Sequence, residues 1–361
     1  MIDAVPAATH ASPSTGAGPT GSPLLSVRDL RTYFIADEGI TRAVDGASFD
    51  LFEGRTLGIV GETGCGKSVT AKSILRIIER PGQIVGGEIM FRRGDDWLNL
   101  VNLPSNGRTI RSIRGGDIGL VFQEPMTSFS PVHTIGDQIN EAVRLHARLS
   151  KAAVRARSIE LLKMVGVPRP EGRLEDYAWQ LSGGLRQRAM IAMALAGEPR
   201  LLIADEPTTA LDVTTQAQIL DLLRRLQQQN GMAIMLITHD LGVIAEMADD
   251  VVVMYLGRVA EQGTVDQIFH EPRHPYTQAL LQSIPSVTAT ARVALPTISG
   301  SIPHPFNRPT GCPFHPRCAS AIAGICSEVI PGMTSFGDRH AASCHLYDIG
   351  ADATDRPEAS R

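Results

Sequence analysis

The sequence has no apolar run long enough to cross a bilayer, and it has no large excess of charge of either sign. Its longest apolar runs, residues 189–196 and 251–256, fall far short of the roughly 20 residues that a membrane-spanning helix needs. A formal net charge of -4 provides no positive field that could hold nucleic acid or an anionic membrane surface. We therefore expect neither a chain that spans a membrane nor a general nucleic-acid binder.

The first 23 residues lack lysine and arginine, so the positive region of a signal peptide is missing. They are rich in Ala, Pro, Ser, Thr and Gly, and we expect a disordered tail over residues 1–23 of a cytosolic protein. Apolar residues make up 43% and charged residues 20% of the chain, which excludes a wholly disordered or fibrous protein. Its 361 residues suggest about two structural units.

Cysteine is scarce, with five residues in the chain. Cys65 stands alone, whereas the other four lie near the end, at Cys312, Cys318, Cys326 and Cys344. In a reducing compartment, such a group favours a metal site over disulfides. Beyond residue 271 the composition turns to Pro, His and Cys with weak periodicity, which predicts a small, separately stabilised unit and a frayed tail after Tyr347.

The apolar pattern predicts an α/β fold. Continuous apolar runs are typical of parallel strands that are covered on both faces, and a helical stretch between two such runs forms a βαβ unit. Residues 136–167 carry helical periodicity and predict a helical insertion. The predicted strands are residues 24–34, 56–60, 201–204 and 233–238, with a helix at 214–229, a hairpin at 251–263 and a further helix at 264–269.

A phosphate-binding loop follows the short strand at residues 56–60. Residues 61–68 match the eight-position P-loop pattern, and a helix is predicted to start near Ser68. In such a loop, backbone N–H groups converge on phosphate oxygens, Lys67 reaches the terminal phosphates and the Ser68 hydroxyl ligates magnesium. A fortuitous glycine-rich turn is the alternative, but the flanking strand and helix argue against it. The predicted nucleotide-binding residues here are Gly61, Glu62, Thr63, Gly64, Cys65, Gly66, Lys67, Ser68 and Val69.

A P-loop alone leaves kinases, GTPases, helicases and transporters open, and two later motifs decide between them. Residues 181–188 read LSGGLRQR, and residues 201–207 read LLIADEP. With these motifs the sequence resembles the ABC ATPase family. The resemblance implies a P-loop ABC cassette over residues 24–270, with a mostly parallel sheet, an antiparallel β subdomain and a helical subdomain at about 124–185. A Cys-rich extension over 271–346 and a disordered tail over 347–361 would complete the chain.

The family places its Ser-Gly-Gly signature at a helix start that faces the γ-phosphate bound by a second subunit. Ser182, Gly183 and Gly184 match it, and a serine with exposed N–H groups at a helix start can bind an anion, although an ordinary N-cap is the alternative. Leu185 replaces the commoner glutamine. Asp212 matches the loop that crosses the subunit interface. The resemblance thus implies a head-to-tail pair with two ATP sites.

Four further residues match the family's catalytic positions. Asp205 ends an apolar strand, where its carboxylate would hold a magnesium-bound water, and Glu206 would polarise the attacking water. Gln123 resembles the glutamine that touches magnesium and contacts the membrane partner. His239 resembles the histidine that contacts the γ-phosphate, although a lone histidine is more often structural. The resemblance therefore implies a hydrolysing site that uses ATP and Mg²⁺, with Ser68, Gln123 and Asp205 around the metal.

An aromatic residue near the start of the cassette would complete the nucleotide site. Phe34, with its neighbour Tyr33 as the alternative, would stack on adenine where the family places an aromatic side chain. The motifs run in the family's order from Phe34 to His239. Most of the sequence between residues 24 and 269 is therefore covered by the resemblance.

Three segments resemble the oligopeptide and dipeptide importer branch. They are RHPYT at 273–277, VFQEPMTSFSP at 121–131, and GCPFHPRC at 311–318. The resemblance implies import of di- or oligopeptides, with nickel, opines or glutathione as alternative cargo. The implied partners are a second ATPase subunit, expected to be a paralogue, two membrane-spanning permease subunits and an extracellular or periplasmic solute-binding protein, but no nucleic acid. The chain would then sit at the cytoplasmic face of the cell membrane.

The four late cysteines are separated by five, seven and seventeen residues, which fits neither usual zinc knuckles nor a known redox pair. The resemblance implies a [4Fe–4S] cluster on Cys312, Cys318, Cys326 and Cys344, a ligand set that suits such a cluster. Zinc, free thiols and disulfides remain alternatives.

Two other function classes compete with transport. A soluble ABC ATPase acting on DNA or ribosomes would typically carry a long coiled coil, a zinc hook or two fused cassettes, and the sequence shows none. A metal-sensing module with a vestigial ATPase is disfavoured because Lys67, Asp205, Glu206 and His239 are all present.

Overall fold

The computed structural model describes residues 21–124, 128–283, 298, 300–304 and 306–347. The predicted tails lie almost wholly outside these residues. In the described part, the strands β1 to β12 in chain order are Leu25–Ala36, Gly39–Leu51, Thr56–Val60, Gly82–Arg93, Asp96–Asn99, Ile118–Val121, Leu201–Asp205, Ala233–Ile237, Asp250–Tyr255, Arg258–Thr264, Thr334–Ser335 and Ala341–Ala342. The α-helices α1 to α10 are Lys67–Ile74, Arg108–Ile113, Ile135–His146, Lys151–Met164, Pro170–Arg173, Gly183–Ala194, Val213–Asn230, Leu241–Met247, Val265–His270 and Pro275–Gln282.

A mostly parallel sheet forms the centre of the molecule, in the order β11-β12-β10-β9-β3-β8-β7-β6. Strands β9, β3, β8, β7 and β6 run parallel to one another. Every residue of β3, β7 and β8 is buried, because the layers packed on both faces exclude water from these apolar strands. The predicted strands at 56–60, 201–204 and 233–238 and the helix between the last two are confirmed, with ends that differ by one residue at most.

A second, antiparallel sheet of order β2-β1-β4-β5 packs beside the central sheet. Residues of its inner face, including Leu30 and Phe91, share a hydrophobic core with Ile59 of β3 and Ile237 of β8. The antiparallel β subdomain implied by the resemblance is therefore confirmed. The hairpin predicted at 251–263 is formed by β9 and β10, which pair antiparallel around Leu256 and Gly257.

A group of helices lies between β6 and β7, as the helical periodicity predicts. Helix α3 begins with a capping box, in which the Thr134 hydroxyl accepts from the Asp137 N–H and the Asp137 carboxylate accepts from the Thr134 N–H. Helices α3 and α4 pack on each other and on α6, with Ile139 and Leu161 fully buried. None of the helices in the described part of the chain is long and apolar enough to cross a membrane.

The C-terminal extension is part of the main structure. Strand β12 pairs antiparallel with β10, through Ala341 and Ala342 opposite Gln262 and Glu261. Cys312 and Phe314 join the same hydrophobic core as the central helices. The expectation of a separately stabilised unit is therefore wrong, because backbone pairing and shared apolar packing tie the extension to the ATPase sheet.

Candidate functional site

The predicted nucleotide-binding residues meet at one edge of the central sheet. The P-loop follows β3, Gln123 follows β6, Asp205 ends β7, and His239 follows β8. These strands are parallel, so their carboxyl ends lie on the same edge, which is where open α/β sheets bind ligands. The topology therefore brings together residues that are more than 170 positions apart in the sequence (61 to 239).

The P-loop conformation depends on two glycines that other backbone segments approach closely. A Cβ atom at Gly61 would collide with the Met254 carbonyl oxygen, and one at Gly66 would collide with the Ala43 carbonyl oxygen. Both glycines also have positive φ angles, 149° and 102°, which L side chains rarely adopt. Gly64 has φ 82° and open space around it, so the loop presents backbone there to solvent. Thr63 beside it is exposed as well.

Lys67 and Ser68 begin helix α1 directly after the loop. The buried Lys67 ammonium donates to the carbonyl oxygens of Gly61 (2.7 Å) and Glu62 (3.2 Å), so the side chain folds back over the loop. Gly66 is the N-cap of α1, and the free N–H groups of the first turn therefore face the loop. Cys65 is buried, which raises the pKa of its thiol, as expected for a filler rather than a reactive cysteine. Val69 continues the helix and is partly buried against the core.

A hydroxyl and a carboxylate lie side by side below the loop. The Ser68 hydroxyl donates to Asp205 Oδ1 over 3.0 Å. Burial raises the pKa of Asp205, while the Ser68 hydrogen bond opposes that change and the charge of Glu206 adds to it. Oxygen ligands of this kind suit Mg²⁺, so the predicted pair fits a magnesium site.

Glu206 is the centre of a polar cluster at the end of β7. Its carboxylate accepts from the Gln123 amide at 3.0 Å, and its other oxygen lies 3.4 Å from His239 Nδ1. Thr209 also donates to this carboxylate, over 2.9 Å. Glu206 has φ 47°, an unusual angle for a residue other than glycine, and such strain is often found at functional sites. The three residues predicted to be catalytic are therefore brought together.

Thr209 was not among the predicted site residues. It lies three positions after Glu206 in a tight turn, whose backbone is closed by a hydrogen bond from the Thr209 N–H to the Glu206 carbonyl (3.2 Å). The signal that could have identified Thr209 is this short spacing after a catalytic carboxylate, because a turn returns the hydroxyl to the side chain.

The Ser-Gly-Gly segment starts helix α6, with Ser182 as N-cap. Its side chain makes no capping hydrogen bond, and Ser182 and Gly183 are exposed. Gly184 packs against Thr215, whose methyl group would lie 2.7 Å from a Cβ at that position. Asp212 caps helix α7 by accepting from the Thr215 N–H and hydroxyl, and these bonds lower the pKa of Asp212. The structure thus places the signature and the Asp212 loop together on one exposed face.

The aromatic residues near the start of the cassette have different surroundings. The Phe34 ring packs against Gly82, where an added Cβ would lie 2.8 Å from Phe34 Cε1. Tyr33 donates its hydroxyl to Asp45 over 2.6 Å, and the Arg42 guanidinium lies 5.7 Å from the centre of the Tyr33 ring. The Tyr33 side chain is thus held by Asp45, which leaves Phe34 as the predicted adenine contact.

The thiols of the four late cysteines influence one another's ionisation. Burial raises the pKa of the Cys344 thiol to about 11, and the thiols of Cys312, Cys318 and Cys326 add to the effect. However, no group of three or more His, Cys, Asp or Glu side chains among the described residues is arranged to hold a metal ion. The predicted metal site on these cysteines is therefore not supported by the geometry.

Comparison with known proteins is consistent with this site. The family model described as ABC transporter matches residues 44–209. The probable peptide ABC transporter ATP-binding protein y4tR of Sinorhizobium fredii is 50% identical, over 90% of this chain and 96% of that protein. The chain belongs to the ABC transporter family. This chain is therefore an ABC ATPase.

The relatives also identify the branch of the family. The oligopeptide/dipeptide transporter C-terminal region matches residues 260–326 of this ABC subunit. The dipeptide transport ATP-binding protein DppD of Bacillus subtilis is 46% identical, over 91% of this chain and 96% of that protein. The oligopeptide transport ATP-binding protein OppD of the same organism is 45% identical, over 93% of this chain and 92% of its own.

Solved ABC structures share the fold of this subunit. The dimeric ATP-binding cassette MJ0796, in a post-hydrolysis state bound to ADP and Pi, gives a TM-score of 0.59 at 26% identity, over 67% of this chain and 98% of that one. The structure of cbiO1 from Clostridium perfringens gives 0.58 at 28% identity, over 70% and 92% of the two chains. The cassette prediction is confirmed.

Proposed function

We propose that this ABC subunit binds and hydrolyses ATP with Mg²⁺ as one of two cassettes that energise the import of di- or oligopeptides. The observation that carries the proposal is the convergence of Gln123 and His239 on the Glu206 carboxylate, next to a complete P-loop. Peptide cargo is supported by the named functions of the relatives and by the matched C-terminal region.

Each residue of the site has a distinct task in the proposed reaction. The N–H groups of residues 64–68 hold the phosphates, and Lys67 moves from the loop carbonyls to the terminal phosphate oxygens. Ser68, Gln123 and Asp205 would hold Mg²⁺, which neutralises charge on the phosphates when it is bound.

Hydrolysis requires a polarised water molecule beside the γ-phosphate. Glu206 accepts hydrogen bonds from Gln123 and Thr209 and lies 3.4 Å from His239 Nδ1, and these contacts orient its carboxylate to accept a proton from that water. The His239 side chain is 61% exposed, so its other ring nitrogen can reach the γ-phosphate while Nδ1 lies beside Glu206. Thr209 and Gln123 hold the carboxylate from its other oxygen.

The signature face supports assembly of two cassettes. Ser182 has an uncommitted hydroxyl at the exposed start of α6, and Asp212 lies on the same face. We propose that this face closes on the P-loop of a second subunit, which we expect to be a paralogue, so that the pair contains two ATP sites. The dimeric state of MJ0796 is in line with such a pair.

A groove between the sheet and the helical region would receive the membrane partners. It is lined by Leu75 and Ile77, which follow α1, and by residues of β6, α3 and α6, and Leu145 (73% exposed) and Phe122 (39% exposed) present apolar surface there. Gln123 follows Phe122 directly, so a partner bound in the groove would contact the residue next to the catalytic cluster. A change in that cluster could then alter the contact with the partner. We propose two permease subunits and an extracellular or periplasmic solute-binding protein as partners, with this subunit at the cytoplasmic face of the membrane.

The domain boundaries stay part of the proposal: a cassette at 24–270 with its helical subdomain at about 124–185, the extension at 271–346, and tails at 1–23 and 347–361. We also propose that Cys312, Cys318, Cys326 and Cys344 hold a [4Fe–4S] cluster; the proposal rests on the chemistry of a four-cysteine ligand set and not on the arrangement of these side chains in the structure. Purified protein should contain iron and absorb visible light, and Cys318→Ser should remove that absorbance. Zinc, or no metal, in anaerobically prepared protein would contradict the cluster.

The decisive experiment on the ATPase uses Glu206→Gln. We expect this variant to bind ATP and accumulate as a closed pair, while phosphate release falls by roughly 10² to 10⁴. Glu246→Gln, which changes a surface carboxylate paired with Arg224, serves as the control and should hydrolyse normally. Normal hydrolysis by Glu206→Gln would remove Glu206 from its proposed task.

Cargo is tested separately from hydrolysis. Uptake of labelled dipeptides and oligopeptides, nickel, opines and glutathione should be measured with the reconstituted complex of cassettes, permeases and solute-binding protein. ATP-dependent uptake of peptides is expected. Uptake of another class instead would contradict the peptide proposal and leave the ATPase assignment intact.

A further inference from the structure

The C-terminal extension reaches into the P-loop through one buried arginine. The Arg317 guanidinium makes a two-point ion pair with the Glu62 carboxylate, with distances of 2.6 and 3.0 Å. The Arg317 side chain is only 4% exposed and that of Glu62 is 22% exposed. Paired hydrogen bonds of this planar kind are directional, so they fix the position of Glu62 within the loop.

A tyrosine from the extension contacts the same loop residue. The hydroxyl of Tyr276, which is fully buried, accepts from the Glu62 N–H over 2.9 Å. The Tyr276 ring packs between Tyr255 and Phe314, at centroid distances of 4.7 and 5.3 Å. The Tyr276 ring is thus packed between an extension residue, Phe314, and a cassette residue, Tyr255. This packing on both sides holds the Tyr276 hydroxyl in place.

Glu62 passes this restraint on to the phosphate-binding groups. Its carbonyl oxygen accepts from the Cys65 N–H (3.2 Å) and from the Lys67 ammonium (3.2 Å). The side chain of Glu62 is therefore held by Arg317, its N–H by Tyr276, and its carbonyl by the part of the loop that meets phosphate. A shift of Glu62 would displace Lys67 and the adjacent backbone N–H groups.

We propose that Arg317 and Tyr276 are positioning residues that hold the P-loop in its ATP-binding shape, so that nucleotide affinity depends on the C-terminal extension. The proposal rests on the proposed ATPase function. Arg317 ends the short 3₁₀ turn His315–Arg317, directly before Cys318, and its N–H donates to the Phe314 carbonyl (2.9 Å). Any change that disorders the cysteine-bearing part of the extension therefore removes the restraint from the nucleotide site.

The test compares ATP affinity among full-length variants. Arg317→Gln and Glu62→Gln should each raise the Kd of a fluorescent ATP analogue roughly tenfold, because each removes a charge-assisted contact. The double variant should be no weaker than the single variants, since all three lack the same contact. For Arg317→Gln, KM should rise with Kd, whereas kcat at saturating ATP should change little, because the Glu206 cluster is intact.

Arg339→Gln is the matched control. Arg339 is also an extension arginine paired with a cassette carboxylate, Asp250, over 2.7 Å, but Asp250 starts β9 at the opposite edge of the sheet from the P-loop. This variant should keep the wild-type Kd even if its melting temperature falls. Arg317→Lys, which keeps the charge and loses the two-point geometry, should restore part of the affinity.

Two results would overturn the proposal. One is wild-type affinity in Arg317→Gln. The other is equal loss of affinity in Arg317→Gln and Arg339→Gln, which would indicate general destabilisation. If Arg317→Gln does not fold, Tyr276→Phe removes a single oxygen atom and should raise Kd by a smaller factor, with wild-type affinity contradicting the proposal. Failure of the wild-type protein to bind ATP would instead contradict the ATPase function.

Discussion

His274, where the extension contacts the cassette, allows a test of how the free energy of unfolding depends on pH. It is buried, its Nδ1 accepts from the Tyr276 N–H at 3.0 Å, and its own N–H donates to the buried Glu261 carboxylate at 2.9 Å. Burial lowers the pKa of His274 from 6.5 to about 4. The ring therefore stays neutral in the folded protein at pH values where an exposed histidine would take up a proton.

The sign of the pH effect follows from proton uptake in the two states. Between pH 6.5 and 4, the unfolded chain binds a proton at His274 that the folded chain does not bind, so stability falls as the pH falls. The stability that the neutral, buried His274 contributes to the folded protein is fully present above pH 6.5. The full shift corresponds to roughly 3 kcal/mol, and the loss between pH 7 and pH 5 is about 2 kcal/mol.

His274→Asn supplies the comparison, because asparagine can still cap α10 and does not titrate in this range. Denaturant unfolding of both proteins should be measured at pH 7 and pH 5. The asparagine variant should be less stable than wild type at pH 7, because a cavity replaces the ring, but it should lose about 2 kcal/mol less on acidification. An equal loss in both proteins would refute the reasoning, since other titrating groups are shared.

Two further predictions concern the nucleotide site. Ser182→Ala should leave the melting temperature unchanged, because Ser182 makes no capping bond, and should lower ATP hydrolysis at least tenfold, because one donor to the γ-phosphate is lost; unchanged hydrolysis would contradict the split site. Gly61→Ala should destabilise the fold by about 2 kcal/mol and abolish ATP binding, because the methyl group meets the Met254 carbonyl. Thermal unfolding and nucleotide binding measure both effects, and wild-type affinity in Gly61→Ala would contradict the proposed loop geometry.

The sequence alone was sufficient for features that depend on neighbouring residues. The P-loop between β3 and α1, the Ser182 helix start and the carboxylates at the end of β7 are local motifs, with spacings that the chain itself imposes. The buried parallel strands were also predictable, because continuous apolar runs between turns favour them. The order of the motifs was enough to recognise the family.

Only the tertiary structure decided which distant residues meet. Nothing in the spacing of Arg317 and Glu62, 255 positions apart, indicates their ion pair, and the pairing of β12 with β10 is equally invisible in two short strands. Weak periodicity beyond residue 271 suggested a separate unit because it carries no record of long-range partners. The physical reason is that backbone pairing and burial join segments by their surfaces, whereas sequence spacing reports only what lies within a few turns of the chain.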